Sequence, residues 1–202
     1  MIEGSIAGLM SDDILVERGR HGDRDALEEL FRRHWTVAYR VASRLLGHEQ
    51  DAQDATQDCM IKALSHLKDF DGRSGFRTWL LRIVTNASID SGRRRKRRPL
   101  LGLGHKPDEA SGEAEGGPLP MEPSCQHDPS SEMRRRDLRE ILDRALARLA
   151  PNQRQAFVLF AEGGLSYEEI AEVQDVPIGT VMSRLFYARS KLQKFMAGVD
   201  GL

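Results

Sequence analysis

Residues 165–192 read LSYEEIAEVQDVPIGTVMSRLFYARSKL. Ser166 and Glu169 stand three apart ahead of an apolar run, the spacing of a capping box. That predicts a short helix over about Tyr167–Val173. Val173 and Val176 bracket a tight turn at Asp175, a residue that tolerates left-handed backbone better than most. Pro177 suits the first turn of the next helix, predicted over Pro177–Met196. Ile170, Val173, Val181 and Leu185 supply the apolar contacts that lock two helices at a steep angle, and Ala171 is small where they approach. This is helix-turn-helix spacing, in which the second helix enters the major groove of DNA. From Pro177 to Lys194 that helix carries Arg184, Arg189, Lys191 and Lys194 and no acid. An ordinary helical hairpin also needs apolar residues four apart. The capping box, the turn and the acid-free second helix together favour DNA binding.

A second stretch, residues 72–98, reads GRSGFRTWLLRIVTNASIDSGRRRKRR. It holds nine arginines or lysines and one acid, Asp90, in a chain whose formal net charge is only −1. Such a patch attracts polyanion by releasing counterions from phosphates. A basic run alone is weak evidence, since many are solvated tails. The helix in front, predicted over about Ser74–Gly92, adds Phe76 and Trp79, flat side chains on which unpaired bases can stack. The competing expectation is core: Trp79 mostly buried with Leu80, Ile83, Val84 and Ala87, and Phe76 shared between core and surface. Asn86 and Asp90 lie on one polar face with Arg82 and Arg93, so that face can offer amide contacts to bases and guanidinium contacts to phosphates.

Outward from these two stretches the chain divides into three. From Asp12 to Arg98 the pattern is helical. Asp23 and Asp25 open a long helix with Leu27, Leu30, Phe31, Val37, Val41 and Leu45 at three-four spacing, closed by Gly47 as a left-handed cap. A second helix is predicted over Glu49–Leu67. There Asp51, Asp54 and Asp58 share a face beside Gln53 and Gln57, while Met60, Leu64 and Leu67 continue an apolar stripe. Residues 99–132 change character to Gly, Pro, Ser and acids, a linker that cannot bury enough surface to fold alone. Helices resume over about Met133–Leu149 and Pro151–Glu162. The expected architecture is all-α, with an N-terminal tail (1–11), one helical domain (12–98), a flexible acidic linker (99–132) and a helix-turn-helix domain (133–197). No strand pattern and no internal repeat is visible.

Composition fits a water-soluble cytoplasmic regulator: 202 residues, 40% hydrophobic and 30% charged. No apolar run reaches bilayer length, and the N-terminus lacks the basic and apolar regions of a signal peptide. Cys59 and Cys125 cannot make a disulfide framework. Cys59 sits in a helical pattern as a small apolar residue, and Cys125, two residues before His127, is a sparse basis for a redox or metal site. The three aspartates could hold a metal, but no histidine or further acid completes a site, and a solvated face explains them better. No cofactor is expected.

The order of these motifs resembles the extracytoplasmic-function (group 4) sigma factors of bacterial RNA polymerase, in the sigma-70 family. Residues 51–98 are similar to family regions 2.2 to 2.4, Asp23–Leu46 to region 2.1, Leu138–Glu162 to region 4.1, and the helix-turn-helix to region 4.2. The chain departs from the family at Leu64, where an aromatic is usual, and at Gly92. It departs also at Asp175, where a turn glycine is common, and at Met182 and Tyr187, where many relatives carry cations.

The resemblance implies a factor that binds core polymerase and directs promoter-specific transcription initiation, recognising −35 and −10 elements and melting the latter without ATP. It implies docking of Asp51, Asp54, Gln57, Asp58 and Ile61 on the β′ clamp helices, with the β flap as a second contact. It assigns −10 DNA to Phe76, Arg77, Trp79, Arg82, Asn86, Asp90, Arg93 and Arg94, with the loop Asp69–Phe76 capturing an extruded nucleotide. It assigns the −35 element to Thr180, Ser183, Arg184, Phe186, Tyr187 and Arg189. With Val181 and Leu185 facing the core, Ser183, Arg184 and Tyr187 should turn to the groove, Phe186 being ambiguous or merely bracing the helix. Arg189 is expected on phosphate, and an anti-sigma factor is a further partner.

Two other classes compete. A plain helix-turn-helix regulator explains residues 165–194 but not the aromatic-basic helix with its acidic neighbour. A nucleic-acid enzyme would need a nucleophile, metal or phosphate-loop motif, and none of GxxxxGK, HExxH, CxxC or a nucleophile elbow occurs. The chain is therefore not expected to be an enzyme.

Overall fold

The computed structural model describes residues 10–97 and 129–198, with side chains described for 10–91 and 138–198. The linker expectation for 99–128, Cys125 and His127 lie outside the described residues, as do the side chains of Arg93 and Arg94. Among the described residues there are eight α-helices and no strand. They are α1 (Asp12–Arg20), α2 (Arg24–Leu46), α3 (Glu49–Ser65), α4 (Phe76–Arg97), α5 (Pro129–Ala147), α6 (Pro151–Ala161), α7 (Tyr167–Gln174) and α8 (Ile178–Ala197), with a 3-10 turn at Leu67–Asp69.

The long helix starts and stops where its sequence says. The Asp23 carboxylate accepts the Ala26 amide at 3.1 Å, satisfying one orphan donor of the first turn. This amide, and then Arg18, hold the Asp23 carboxyl below its ordinary range. Gly47 ends the helix at φ 74°, a conformation that glycine adopts without steric cost. Around α2 the helices α1, α3 and α4 form one bundle, while α5, α6 and α7 gather on α8.

Most helix ends differ from the sequence reading by a residue or two, and three differences have a physical reason. α4 runs through Gly92 to Arg97. One interior glycine costs about 1 kcal/mol against alanine, arginines are good helix formers, and cations favour a helix C-terminus. α3 stops at Ser65, two residues early, the chain tightening into the 3-10 turn. α5 begins at Pro129, inside the expected linker, with proline in the first-turn position it tolerates.

The core is continuous across both bundles: Leu15, Leu30, Val41, Leu80, Leu81 and Val84 in the first and Leu146, Leu159, Ile170, Val181 and Leu185 in the second are at most 2% exposed. Cys59 is fully buried, as read, and burial pushes its thiol up to about 11, which leaves it unreactive.

Asp175 closes α7 at φ 51° and ψ 54°. Since a side chain there is strained where glycine is not, Asp175→Gly should raise stability by up to about 1 kcal/mol. In thermal unfolding that is an increase of roughly 2–4 °C; an unchanged or lower midpoint would show the turn to be unstrained.

Candidate nucleic-acid interface

The helix-turn-helix is built as its sequence implies. Ser166 Oγ accepts the Glu169 amide at 3.2 Å, and the Glu169 carboxylate accepts the Ser166 amide at 2.8 Å, a complete capping box. Burial works to raise the Glu169 pKa, but hydrogen bonds from Thr78 and Ser166 hold the carboxyl below its ordinary value. Ile170, Val173, Val181 and Leu185 are all buried, fixing α8 against α7.

With Val181 and Leu185 inward, the opposite side of α8 is exposed along Gly179, Met182, Ser183, Phe186 and Tyr187, a single face at three-four spacing. Phe186 is 68% exposed. It does not brace the helix, correcting that expectation; its ring meets Tyr187 edge-on at 5.5 Å. Met182, 50% exposed, belongs to this face and was missed as a site residue. Its signal was present in the sequence, one turn before Phe186. Thr180 is half-buried at its edge. Ser183 donates its hydroxyl to the Gly179 carbonyl at 2.8 Å, leaving its oxygen able to accept. The two cations turn elsewhere: Arg184 Nη1 donates to Gln174 Oε1 at 2.7 Å. Arg189 lies over the Phe160 ring at 4.9 Å and reaches the Tyr167 hydroxyl at 3.4 Å.

On α4 the described part of the polar face is as read: Arg82, Asn86 and Asp90 are exposed at four-residue steps. Phe76 is not. Its ring is 1% exposed and sits among His34 at 5.2 Å, Trp79 at 5.7 Å, and Phe31 and Phe70 at 6.1 Å each. It cannot offer a face to a base without unpacking, which corrects both its shared placement and its candidacy as a stacking platform. Trp79 is half-buried against Phe70 and Phe76, as expected. Arg77 is half-buried toward the loop before α7, with Nε lacking any partner. The loop between the 3-10 turn and α4 exposes Asp71, Gly72 and Arg73 around a buried Phe70. Arg73 folds back on Asp71 through both its amide and its guanidinium.

On α3, Gln53, Asp54, Gln57 and Asp58 are exposed and Asp51 is half-buried. Ile61 is 57% and Leu64 48% exposed. Leu64 therefore leaves the apolar stripe to which it was assigned: Met60, Ala63 and Leu67 fill the core side, and Leu64 falls at its rim beside Ile61. Asp54, Gln57, Asp58, Ile61 and Leu64 form one acidic and apolar surface. No group of three His, Cys, Asp or Glu side chains placed to hold a metal occurs among the described residues.

Comparison with known proteins fits this geometry. The sigma-70 region 2 family matches residues 30–98, over α2 to α4, and sigma-70 region 4 matches 139–192, over α5 to α8. The ECF RNA polymerase sigma-E factor of Escherichia coli strain K12 is 34% identical over 189 residues, covering 91% of this chain and 93% of that protein.

This chain is an ECF sigma factor.

The Haemophilus influenzae sigma-E factor is 32% identical over 188 residues, covering 93% of this chain and 96% of that one. Among solved structures, the sigma factor RpoE from Bartonella quintana, in complex with the anti-sigma factor NepR, matches at a TM-score of 0.63. It is 27% identical and covers 86% of this chain and 98% of that one. CnrH in complex with the cytosolic domain of CnrY shares the fold, with a TM-score of 0.68 at 24% identity over 94% of this chain and 99% of that one. The sigma factor is thus a transcription initiation factor, acting with core RNA polymerase at promoters, rather than a catalyst. Among the described residues the candidate side chains lie on three separate faces, of α3, α4 and α8. Among the described residues no helix is long and apolar enough to cross a membrane.

Proposed function

We propose that the three surfaces divide the work of initiation. The acidic and apolar face of α3 docks on the β′ clamp helices. The Arg82–Asn86–Asp90 face of α4, continued by the cations of residues 93–98, holds the −10 strand, and loop 69–75 takes up an extruded nucleotide. Extrusion costs a few kcal/mol of stacking, regained in the pocket, so capture of single strand shifts closed DNA to open without ATP. The α8 face enters the −35 major groove, while residues 99–128 run through the polymerase's positively charged channel. The factor works in the cytoplasm, with the β flap as second docking point and an anti-sigma factor as regulator. The anti-sigma factor NepR, in complex with the sigma factor RpoE in a solved structure of this fold, supports the last assignment.

The observation that carries the reading is the α8 face: a buried Val181–Leu185 seam opposite an exposed Met182, Ser183, Phe186 and Tyr187 row. Apart from Ser183 that row is apolar or aromatic, which suits thymine methyl groups better than phosphates. The test is run-off transcription with core enzyme on a library of random −35 and −10 elements. Enrichment of one two-part sequence is expected; no transcript above core alone would end the proposal.

In the same assay Tyr187→Ala should lower transcription about 10-fold, a 1–3 kcal/mol contact, and relax preference at one −35 position. Equal losses on all promoters would assign Tyr187 to the backbone instead.

A further inference from the structure

We infer that Gln174 is a positioning residue for promoter recognition: it holds Arg184 of α8 off the groove face and on the DNA backbone, so that −35 preference comes from the uncharged row alone. The inference rests on the −35 reading of α8 above. Arg184 Nη1 donates to Gln174 Oε1 at 2.7 Å, and Gln174 Nε2 donates to the Asn152 carbonyl at 3.4 Å. Both ends of the amide are therefore engaged. Turned over, it would set its NH2 against a guanidinium, donor against donor. The backbone of α6 thus orients the Gln174 side chain, and Gln174 orients the guanidinium. Arg184 and Gln174 are both half-buried.

This tether decides which part of the duplex Arg184 meets. Val181, Leu185 and Ala188 are at most 1% exposed and turn inward. At about 100° per residue, Arg184 leaves α8 roughly 130° round from the middle of the Met182–Ser183–Phe186–Tyr187 face. It emerges on the side of α7, against that helix's last residue. In a helix-turn-helix the first helix crosses the sugar-phosphate backbone while the second lies in the groove. α7 has no arginine or lysine of its own, and it exposes Glu168 and Glu172. Arg184 brings a cation from α8 to the end of α7. Arg189, over Phe160 and beside the Tyr167 hydroxyl, brings one to its start.

The chemistry of the tether suits the task. A neutral amide oxygen orients a guanidinium without cancelling its charge, whereas a carboxylate in the same place would neutralise it. One N–H goes to Gln174, and the rest of the five-donor fork matches a phosphate. An untethered arginine beside the major groove has a second choice, the O6 and N7 of guanine, the commonest specific contact there. Gln174 removes that choice.

The test measures promoter affinity of the full chain with core polymerase over a series of salt concentrations. The DNA is the promoter enriched from the random library and single-base variants of its −35 element. Arg184→Ala should weaken all of them by a similar factor and lower the salt slope by about one. Gln174→Met, similar in length but without the amide oxygen, should lower the slope by about as much. It should also add a preference of about tenfold for guanine at one −35 position. Gln174→Met/Arg184→Ala should behave as Arg184→Ala alone, an equivalence that a merely structural role of Gln174 would not give. Gln174→Glu keeps an acceptor but cancels the charge, so its slope should fall with no guanine preference gained. Three results would overturn the proposal: Arg184→Ala relaxing preference at a single base, Gln174→Met leaving slope and preference unchanged, or Gln174→Met adding its own loss to that of Arg184→Ala. Should wild type select no −35 element, the reading of α8 is rejected and the DNA role of Gln174 with it. Thermal unfolding of the free chain judges the tether separately. There Gln174→Met should lower the midpoint of wild type more than that of Arg184→Ala, and equal shifts would show that no tether holds.

Discussion

Phe76→Ala is expected to unfold the first bundle rather than to produce a folded factor that cannot melt DNA. The ring is 1% exposed and touches four aromatic neighbours from α2, α4 and the loop before it. Phenylalanine-to-alanine changes in such settings cost about 3–5 kcal/mol, a large part of the roughly 5–15 kcal/mol that holds a domain together. A fall in melting temperature of roughly 10 °C or more should follow, with near-ultraviolet dichroism lost early. Asn86→Ala is the contrast, because Asn86 is exposed on α4. Its stability should stay within about 0.5 kcal/mol of wild type, while open-complex formation falls and a pre-melted bubble template restores it. The same bubble should not restore Phe76→Ala. If Phe76→Ala folds normally and is rescued by the bubble, the ring reaches DNA in the working complex and its buried position is not the one that matters.

This contrast shows where sequence reasoning works and where it stops. Signals confined to a few residues were legible: the Asp23 cap, the Gly47 stop, the Ser166–Glu169 box and the Val181–Leu185 seam. Each is decided by the chain's own backbone within one turn of helix. Phe76 and Phe186 have the same side chain and both sit on helices with cations, yet one is 1% and the other 68% exposed. What separates them is whether a second helix covers that position, and neighbours in sequence do not record this. Leu64 fails for a related reason: it lies at the rim of the α3 core stripe, where a small rotation decides between core and solvent. The polar contacts between the two bundles were invisible. Glu169 already had a sufficient local purpose in the capping box, so nothing in the pattern called for Thr78, 91 positions away. Arg154 bonds only to backbone carbonyls, which every residue possesses and no sequence motif marks.

The largest loss without damage to the fold should come from Asp54→Lys/Asp58→Lys. Both carboxylates are exposed on α3, with Asp54 accepting a single 3.3 Å bond from Gln50. Their removal should therefore leave thermal stability within about 0.5 kcal/mol of wild type. The double change replaces two negative charges by two positive ones beside Ile61 and Leu64. Like charges facing each other across an interface cost several kcal/mol, so affinity for core polymerase should fall about 100-fold or more. The charge contribution should weaken as salt rises, because exposed charges are screened over about 10 Å at 0.1 M. Ile61→Ser/Leu64→Ser removes apolar area instead, and its loss should persist at high salt. Titrating labelled chain with core enzyme at low and high salt separates the two. Undiminished binding by the lysine variant, with its fold intact, would take the polymerase off this face of α3 and leave the acidic stripe an ordinary solvated surface.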